Sequence, residues 1–264
     1  MTEWIREALS ETISGSVHIM PYMQAVLFLC LILHLRRPYK RGSYYKVTKT
    51  PYSELRKDPG RMGEYLIYKR LRFYERRGAR FLFNCYLPGR NGATTEVDAL
   101  MIHESGIYVL ESKNYSGWIF GNEAAEQWTQ VLAGGRGNSR KEHFFNPVMQ
   151  NRGHMKYIKD LIGHGVPVHS VIVFSDRCVL KEIEVWDKHT HVTTVKHLRG
   201  AVRRIRRQTA REWSGFRLSR EETERLYEAL YPFSQTTKRQ RKKHVKKVRK
   251  RIRWYAFRRW FRRY

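Results

Sequence analysis

Four charged side chains stand where the strands of a β-hairpin ordinarily carry valines: Glu96 and Asp98 in "TEVDALMIH", and Glu111 and Lys113 in "GIYVLESKN". Side chains alternate between faces along a strand, and cross-strand partners point the same way. An even-numbered turn within "HESG" therefore gathers all four on one face, whereas an odd one scatters them. A loop of residues 104 and 105 sets Asp98 opposite Glu111 and Glu96 opposite Lys113; a loop of 105 and 106 sets Asp98 opposite Lys113 and leaves Glu111 diagonal. Carboxylates whose β-carbons lie ~5 Å apart repel unless a proton or cation separates them. A hard divalent ion such as Mg²⁺ meets that need with oxygen ligands and retained waters. Lys113, two residues beyond Glu111, can then polarise a water or steady charge developing on phosphorus. The alternative is a hairpin with one solvated face whose charges form cross-strand salt bridges.

The elements that must position this hairpin follow from periodicity. Asp58 and Pro59 predict the start of a helix whose Leu66, Ile67, Leu71 and Tyr74 recur at helical spacing, with Gly78 closing it. A strand at "RFLFNCYLP" precedes the hairpin, and the polar, Gly-rich "LAGGRGNSRKEHF" ends the meander. "NPVMQNRGHMKYIKDLIG" predicts a second helix from Pro147. "HSVIVFS" reads as a buried strand, "HVTTV" as a weaker one, and two helices follow around 196–207 and 219–230. That order predicts an α/β fold with a mixed central sheet flanked by helices. Trp118 and Trp128 are expected in the core, while His143 and His154 lack metal-ligand spacing and take no role.

The 264-residue chain carries 52 Lys and Arg against 24 Asp and Glu, and a net charge of +28 exceeds what solubility needs and implies a polyanionic partner. A hydrophobic content of 41% excludes a disordered chain. Cys30, Cys85 and Cys178 lack CxxC pairing, which excludes a disulfide framework and a zinc knuckle. Between Glu11 and Arg36 lie 24 residues without formal charge, and residues 13–35 are expected to cross a bilayer once. His18, Pro21, Gln24 and His34 leave a buried amphipathic helix as the alternative. The basic flank "RRPYKRGSYYK" then places the N-terminus outside and everything from Arg36 on in the cytoplasm of a cell-membrane protein.

The expected division is a membrane segment at 1–35, a basic juxtamembrane linker at 36–57, a globular domain at 58–232 and a basic aromatic tail at 233–264. From Lys238 to Tyr264, 15 of 27 residues are Lys or Arg and none is acidic. Lys242, Lys243, Lys246, Lys247, Arg249, Lys250 and Arg251 in this tail, with Arg136, Arg140 and Lys141 in the Gly-rich loop, are the expected nucleic-acid contacts, DNA ahead of RNA. An anionic lipid leaflet is the competing partner for the tail.

Residues 63 to about 175 resemble the NERD (nuclease-related domain) family, a branch of the PD-(D/E)xK nuclease-like superfamily. The resemblance rests on "GEYLIYKRL", "TEVDALMIHESGIYVLESKNYSGWIFG", Trp128, "NPVMQNRGHMKYI" and "VIVFS". It implies a restriction-endonuclease-like fold and Mg²⁺- or Mn²⁺-dependent phosphodiester cleavage. Glu64 would take the helix acid, Asp98 the strand acid, Glu111 and Lys113 the acid-x-Lys pair, and Gln150 the helix glutamine. Asp98 and Glu111 would hold the metal, with the Ser112 carbonyl as a further ligand. Val97 stands where the superfamily's name has proline. A binding module of the same fold, without catalysis, is the alternative.

Overall fold

The computed structural model describes residues 22–28, 39–88, 94–134 and 138–235. The helices are α1 (22–28), α2 (Ser43–Thr48), α3 (Tyr52–Leu55), α4 (Pro59–Glu75), α5 (Pro147–Ile162), α6 (Leu198–Glu212) and α7 (Arg220–Ser234). The strands are β1 (Arg80–Pro88), β2 (Thr94–His103), β3 (Gly106–Lys113), β4 (Gly117–Asn122), β5 (Gln127–Ala133), β6 (Ser139–Phe145), β7 (Val168–Phe174), β8 (Cys178–Glu184) and β9 (Thr190–Thr194). Most of the expected membrane span at 13–35, Arg136 and the tail residues from Lys242 to Arg251 lie outside the described residues. No helix among the described residues is long and apolar enough to cross a membrane.

Where one central sheet was expected there are two mixed sheets. The larger runs β1-β2-β3-β7-β9 and the smaller β6-β5-β4-β8. β7 is buried at every position, as a strand covered on both faces must be. The smaller sheet escapes hydropathy because β6 (SRKEHFF) and β8 (CVLKEIE) are edge strands that carry charge, which blunts pairing with other chains. β6 occupies the end of the stretch expected to be a Gly-rich loop.

Two hydrophobic layers cover the larger sheet. Phe81, Phe83, Met101 and Tyr108 pack with Ile67 and Leu71 of α4 and Val202 and Ile205 of α6. Leu82, Leu100, Ile102 and Val109 pack with Met155 and Ile158 of α5 and Leu230 of α7. Each helix that serves the site has a defined start. Asp58 accepts the Arg61 N–H (3.1 Å) ahead of Pro59, and Asn146 accepts the Val148 N–H (2.8 Å) ahead of Pro147. The Asn146 amide also donates to the Glu123 and Ala125 carbonyls, which ties α5 to the β4–β5 turn. The stretch expected to be a linker is folded: Tyr44, Val47 and Leu55 are buried, and Tyr44 meets Phe83 edge-on at 4.8 Å.

At the closed end of the hairpin, His103 Nδ1 pairs with Ser105 Oγ (2.9 Å), Ser105 Oγ with the Tyr108 hydroxyl (2.7 Å), and Thr209 Oγ1 with His169 Nε2 (3.2 Å). Burial, aided by Arg206, lowers His103 to about 4, and burial lowers His169 to about 4. Both histidines are therefore neutral in the fold, while unfolded histidine takes its proton near 6.5. Their stabilisation is complete above pH 6.5, drains as pH falls and is gone below 4, with a ceiling of about 3 kcal/mol each. Urea denaturation between pH 7 and pH 4 should show this loss, and His169→Gln should flatten the slope.

Candidate functional site

The β2–β3 ladder runs from His103↔Gly106 to Ala99↔Leu110 around the two-residue loop Glu104–Ser105, which is the first of the two expected registers. Beyond Leu110 the strands part. The Ser112 N–H donates to Asp98 Oδ2 at 2.8 Å, so a side-chain oxygen accepts what would otherwise be a stranded backbone donor. β1 bends at the same level, where Asn84 takes a left-handed φ of 51°, a region that asparagine tolerates. The bend exchanges faces: Phe81 and Phe83 join the α4 layer, Cys85 and Leu87 the α5 layer. β2 makes the same exchange between Val97 and Ala99. Asp98 sits at this crossing, within reach of side chains from α4 and from β3.

From α4 comes Glu64, whose Oε2 accepts the Asn84 amide (2.7 Å) and the Tyr44 hydroxyl (3.2 Å). From α5 comes Gln150, whose Oε1 accepts Lys113 Nζ (3.1 Å); the same amine donates to Glu111 Oε1 (2.7 Å). Glu111 Oε2 faces His154 Nε2 at 3.5 Å, and both atoms are buried without a hydrogen bond. His154 Nδ1 is held by Thr95 Oγ1 at 2.9 Å.

Burial and these neighbours divide the acids. Burial raises Glu64 to about 8, despite the Asn84 amide, and Glu96 adds to the rise. Burial, Glu111 and Glu64 raise Asp98 well above the usual carboxylate range, and Lys113 and the Ser112 N–H do not offset them. Glu111 moves the other way, because Lys113 and His154 outweigh its burial. Lys113 is raised, since Glu111 and Asp98 overcome its desolvation. The cluster thus carries more acid than its one ammonium neutralises.

A divalent cation would relieve that excess. Among the described residues no three His, Cys, Asp or Glu side chains form a chelating group. Mg²⁺ does not require one, because it keeps several waters and takes only one or two carboxylates. Asp98 and Glu111 fit such an ion, because Glu111 Oε2 is buried with the long 3.5 Å approach of His154 Nε2 beside it.

The structure brings together Glu64, Asp98, Glu111, Ser112, Lys113 and Gln150. It does not carry the ladder on to set Glu96 against Lys113; Glu96 accepts the Tyr86 hydroxyl at 2.7 Å. Arg140 and Lys141 lie on β6, an edge strand of the smaller sheet, Arg140 paired with Glu142 and Lys141 opposite Val131. Trp128 is core, but Trp118 is half exposed with Lys181 Nζ 4.9 Å from its ring centre. Tyr44, Asn84 and His154 are the participants that periodicity missed. Only Asn84, a polar residue between Phe83 and Cys85, left a local sign.

Residues 59–175, which span every one of the six gathered residues, match the family model for the nuclease-related domain, NERD. An uncharacterized protein of Bacillus anthracis is 32% identical over 187 residues, 71% of this chain and 82% of that relative. No solved structure matches the chain.

Lys113→Met would leave Glu111 buried without its ammonium, and loss of one partner of such a pair costs about 3–5 kcal/mol. The double variant Glu111→Gln/Lys113→Met should recover most of that loss. Urea denaturation of the two singles and the double in the presence of EDTA measures the coupling.

Proposed function

The chain belongs to the nuclease-related-domain (NERD) family, and from that premise we propose that it is a divalent-metal-dependent nuclease that hydrolyses phosphodiester bonds of nucleic acid. One observation carries the reading: the Lys113 ammonium, largely buried, is held by Glu111 and Gln150 beside Asp98, whose carboxyl is raised well above its usual range. A surface salt bridge needs neither the burial nor the glutamine.

Asp98, Glu111 and the Ser112 carbonyl are the proposed ligands of Mg²⁺ or Mn²⁺, which would polarise a phosphoryl oxygen and make water a better nucleophile. The chain's own groups do the positioning. Lys113 has three N–H donors and spends two on Glu111 and Gln150. The third is placed to hold the attacking water or a phosphoryl oxygen as negative charge builds on it. Gln150 fixes the direction of the amine, and His154 backs Glu111 from the α5 side. Glu64, raised to about 8 by burial in the free protein and held by Asn84 and Tyr44, would orient water at the edge of the cluster.

The proposed substrate is DNA ahead of RNA, supported by the net charge of +28. Tethering to the cytoplasmic face of a membrane is part of the same reading. It is supported by the 24 uncharged residues between Glu11 and Arg36 and by the basic flank after them. The competing reading is a nucleic-acid- or lipid-binding module with a structural acid cluster. It is favoured by the fact that Lys113 and Glu111 already satisfy each other without a metal.

Plasmid DNA, linear DNA and RNA incubated with Mg²⁺, Mn²⁺ or EDTA separate the two. Cleavage should require the ion and fall at least ~100-fold in Glu111→Gln and in Lys113→Ala, the loss typical of removing one group that stabilises the transition state. Circular dichroism would check that both variants fold. Metal-independent binding with no cleavage would overturn the enzyme and leave the module.

A further inference from the structure

Along α6, Arg199, Arg203, Arg207 and Arg211 follow one another at four-residue intervals on the exposed side, while Leu198, Val202, Ile205 and Thr209 are buried beneath. Four residues of helix rise ~6 Å, so the row is ~18 Å long. The helix holds six arginines and one carboxylate, Glu212, which is taken by Lys188 (3.1 Å) and Gln208 (3.1 Å). Among the described residues no carboxylate forms an ion pair with Arg203, Arg207 or Arg211.

This arrangement works against the helix that carries it. Like charges four residues apart repel by a few tenths of a kcal/mol per pair, and Arg199 stands at the helix N-terminus, where the dipole disfavours cations. The neighbouring sequence shows that acids are available: α7 carries Glu221, Glu222, Glu224 and Glu228 within fifteen residues. α6 is left with a rigid row of guanidinium groups that want an external anion.

α4 widens the row. Arg199 Nε donates to the Arg70 carbonyl at 2.7 Å, and the Arg199 and Arg77 guanidiniums lie 5.7 and 4.0 Å from the centre of the exposed Phe73 ring. Glu64 stands on the same helix, nine residues before Phe73, which is ~14 Å along the axis. One rigid element therefore joins the acidic cluster to the basic face.

We propose that the α4–α6 face is a second binding surface, separate from the acidic cluster, which grips the phosphate backbone of a nucleic acid without reading its sequence. The apolar side of α6 is spent in the core and has nothing to insert into a bilayer, so a polymer with phosphates fixed in a line fits better than lipid headgroups. The nucleic-acid reading supplies only the identity of the polyanion; no cleavage is required.

The test is fluorescence anisotropy of the full chain with a 20-base-pair duplex (about 68 Å at 3.4 Å per pair) across a salt series, in EDTA so that nothing is cut. R199Q/R203Q/R207Q/R211Q is compared with K40Q/K46Q/K57Q/K156Q, which removes the same charge elsewhere. With about 0.9 counterion released per phosphate contact, the log–log salt slope should fall in magnitude by about 3 to 4 in the arginine variant and by less than about 1 in the control. The paired variants R199Q/R203Q and R207Q/R211Q should each lose about half as much, and they cover the case in which the quadruple variant fails to fold. An unchanged slope, or equal losses in the control, overturns the proposal. So does loss of binding to phosphatidylglycerol vesicles while duplex binding stays intact, which would assign the face to lipid. A changed slope in a chain that never cleaves DNA keeps this surface and removes the nuclease; cleavage with an unchanged slope does the reverse.

Discussion

Everything at the site depends on the place where β2 and β3 stop pairing. Up to Ala99↔Leu110 the hairpin is an ordinary antiparallel ladder with no room between its strands. Beyond that pair the ladder is replaced by a bond from the Ser112 N–H to Asp98 Oδ2. That substitution keeps the backbone donor satisfied while the strands separate, so a gap opens without the cost of an unpaired buried N–H. On either side of that break stand Glu64 of the α4 layer, bonded to Asn84, and Gln150 of the α5 layer, bonded to Lys113. The left-handed Asn84 on β1 bends the adjoining strand at the same level, and its amide then holds Glu64.

The sequence made part of this legible, for a physical reason. Period-two alternation and an even turn are enough to bring Asp98 and Glu111 to one face, and capped helix starts at Asp58 and Asn146 place Glu64 and Gln150 near it. Buried β7 announced itself by an unbroken apolar run. What stayed hidden was of two kinds. Tyr44 and His154 reach the site from 20 residues before Glu64 and 43 residues after Glu111, and no local pattern encodes such a meeting. The smaller sheet was hidden because its edge strands expose too much charge to alternate cleanly, and α2 because its tyrosines lie in a stretch of lysines and arginines. Trp118 illustrates the same limit: size alone suggests burial, yet its strand turns it outward beside Lys181.

Charge is also divided in space. Three of the chain's acids, Glu64, Asp98 and Glu111, gather where two strands part, and six of its arginines line α6. The buried Glu111–Lys113 pair is a poor source of stability, since desolvation of both groups cancels most of their attraction. Under the nuclease proposal, its burial at the end of the ladder serves the chemistry of the site more than folding.

On the proposed reading, the two charge populations act differently on an approaching phosphodiester. The basic surfaces draw it in over a distance set by screening, about 8 Å at physiological salt. At the end of that approach it meets Asp98 and Glu111, whose acid excess already raises the Asp98 carboxyl, with only Lys113 to offset them. The raised carboxyls of Asp98 and Glu64 favour their neutral forms and Glu111 is paired with Lys113, so the site by itself adds little charge to attract or repel the phosphodiester. A bound divalent cation would, on this reading, add positive charge at the site alone and leave the outer surface unchanged. On the proposed reading, Asp98 and Glu111 recruit the ion, which displaces the proton that burial favours on Asp98, so metal binding and substrate entry are coupled through the same two carboxylates.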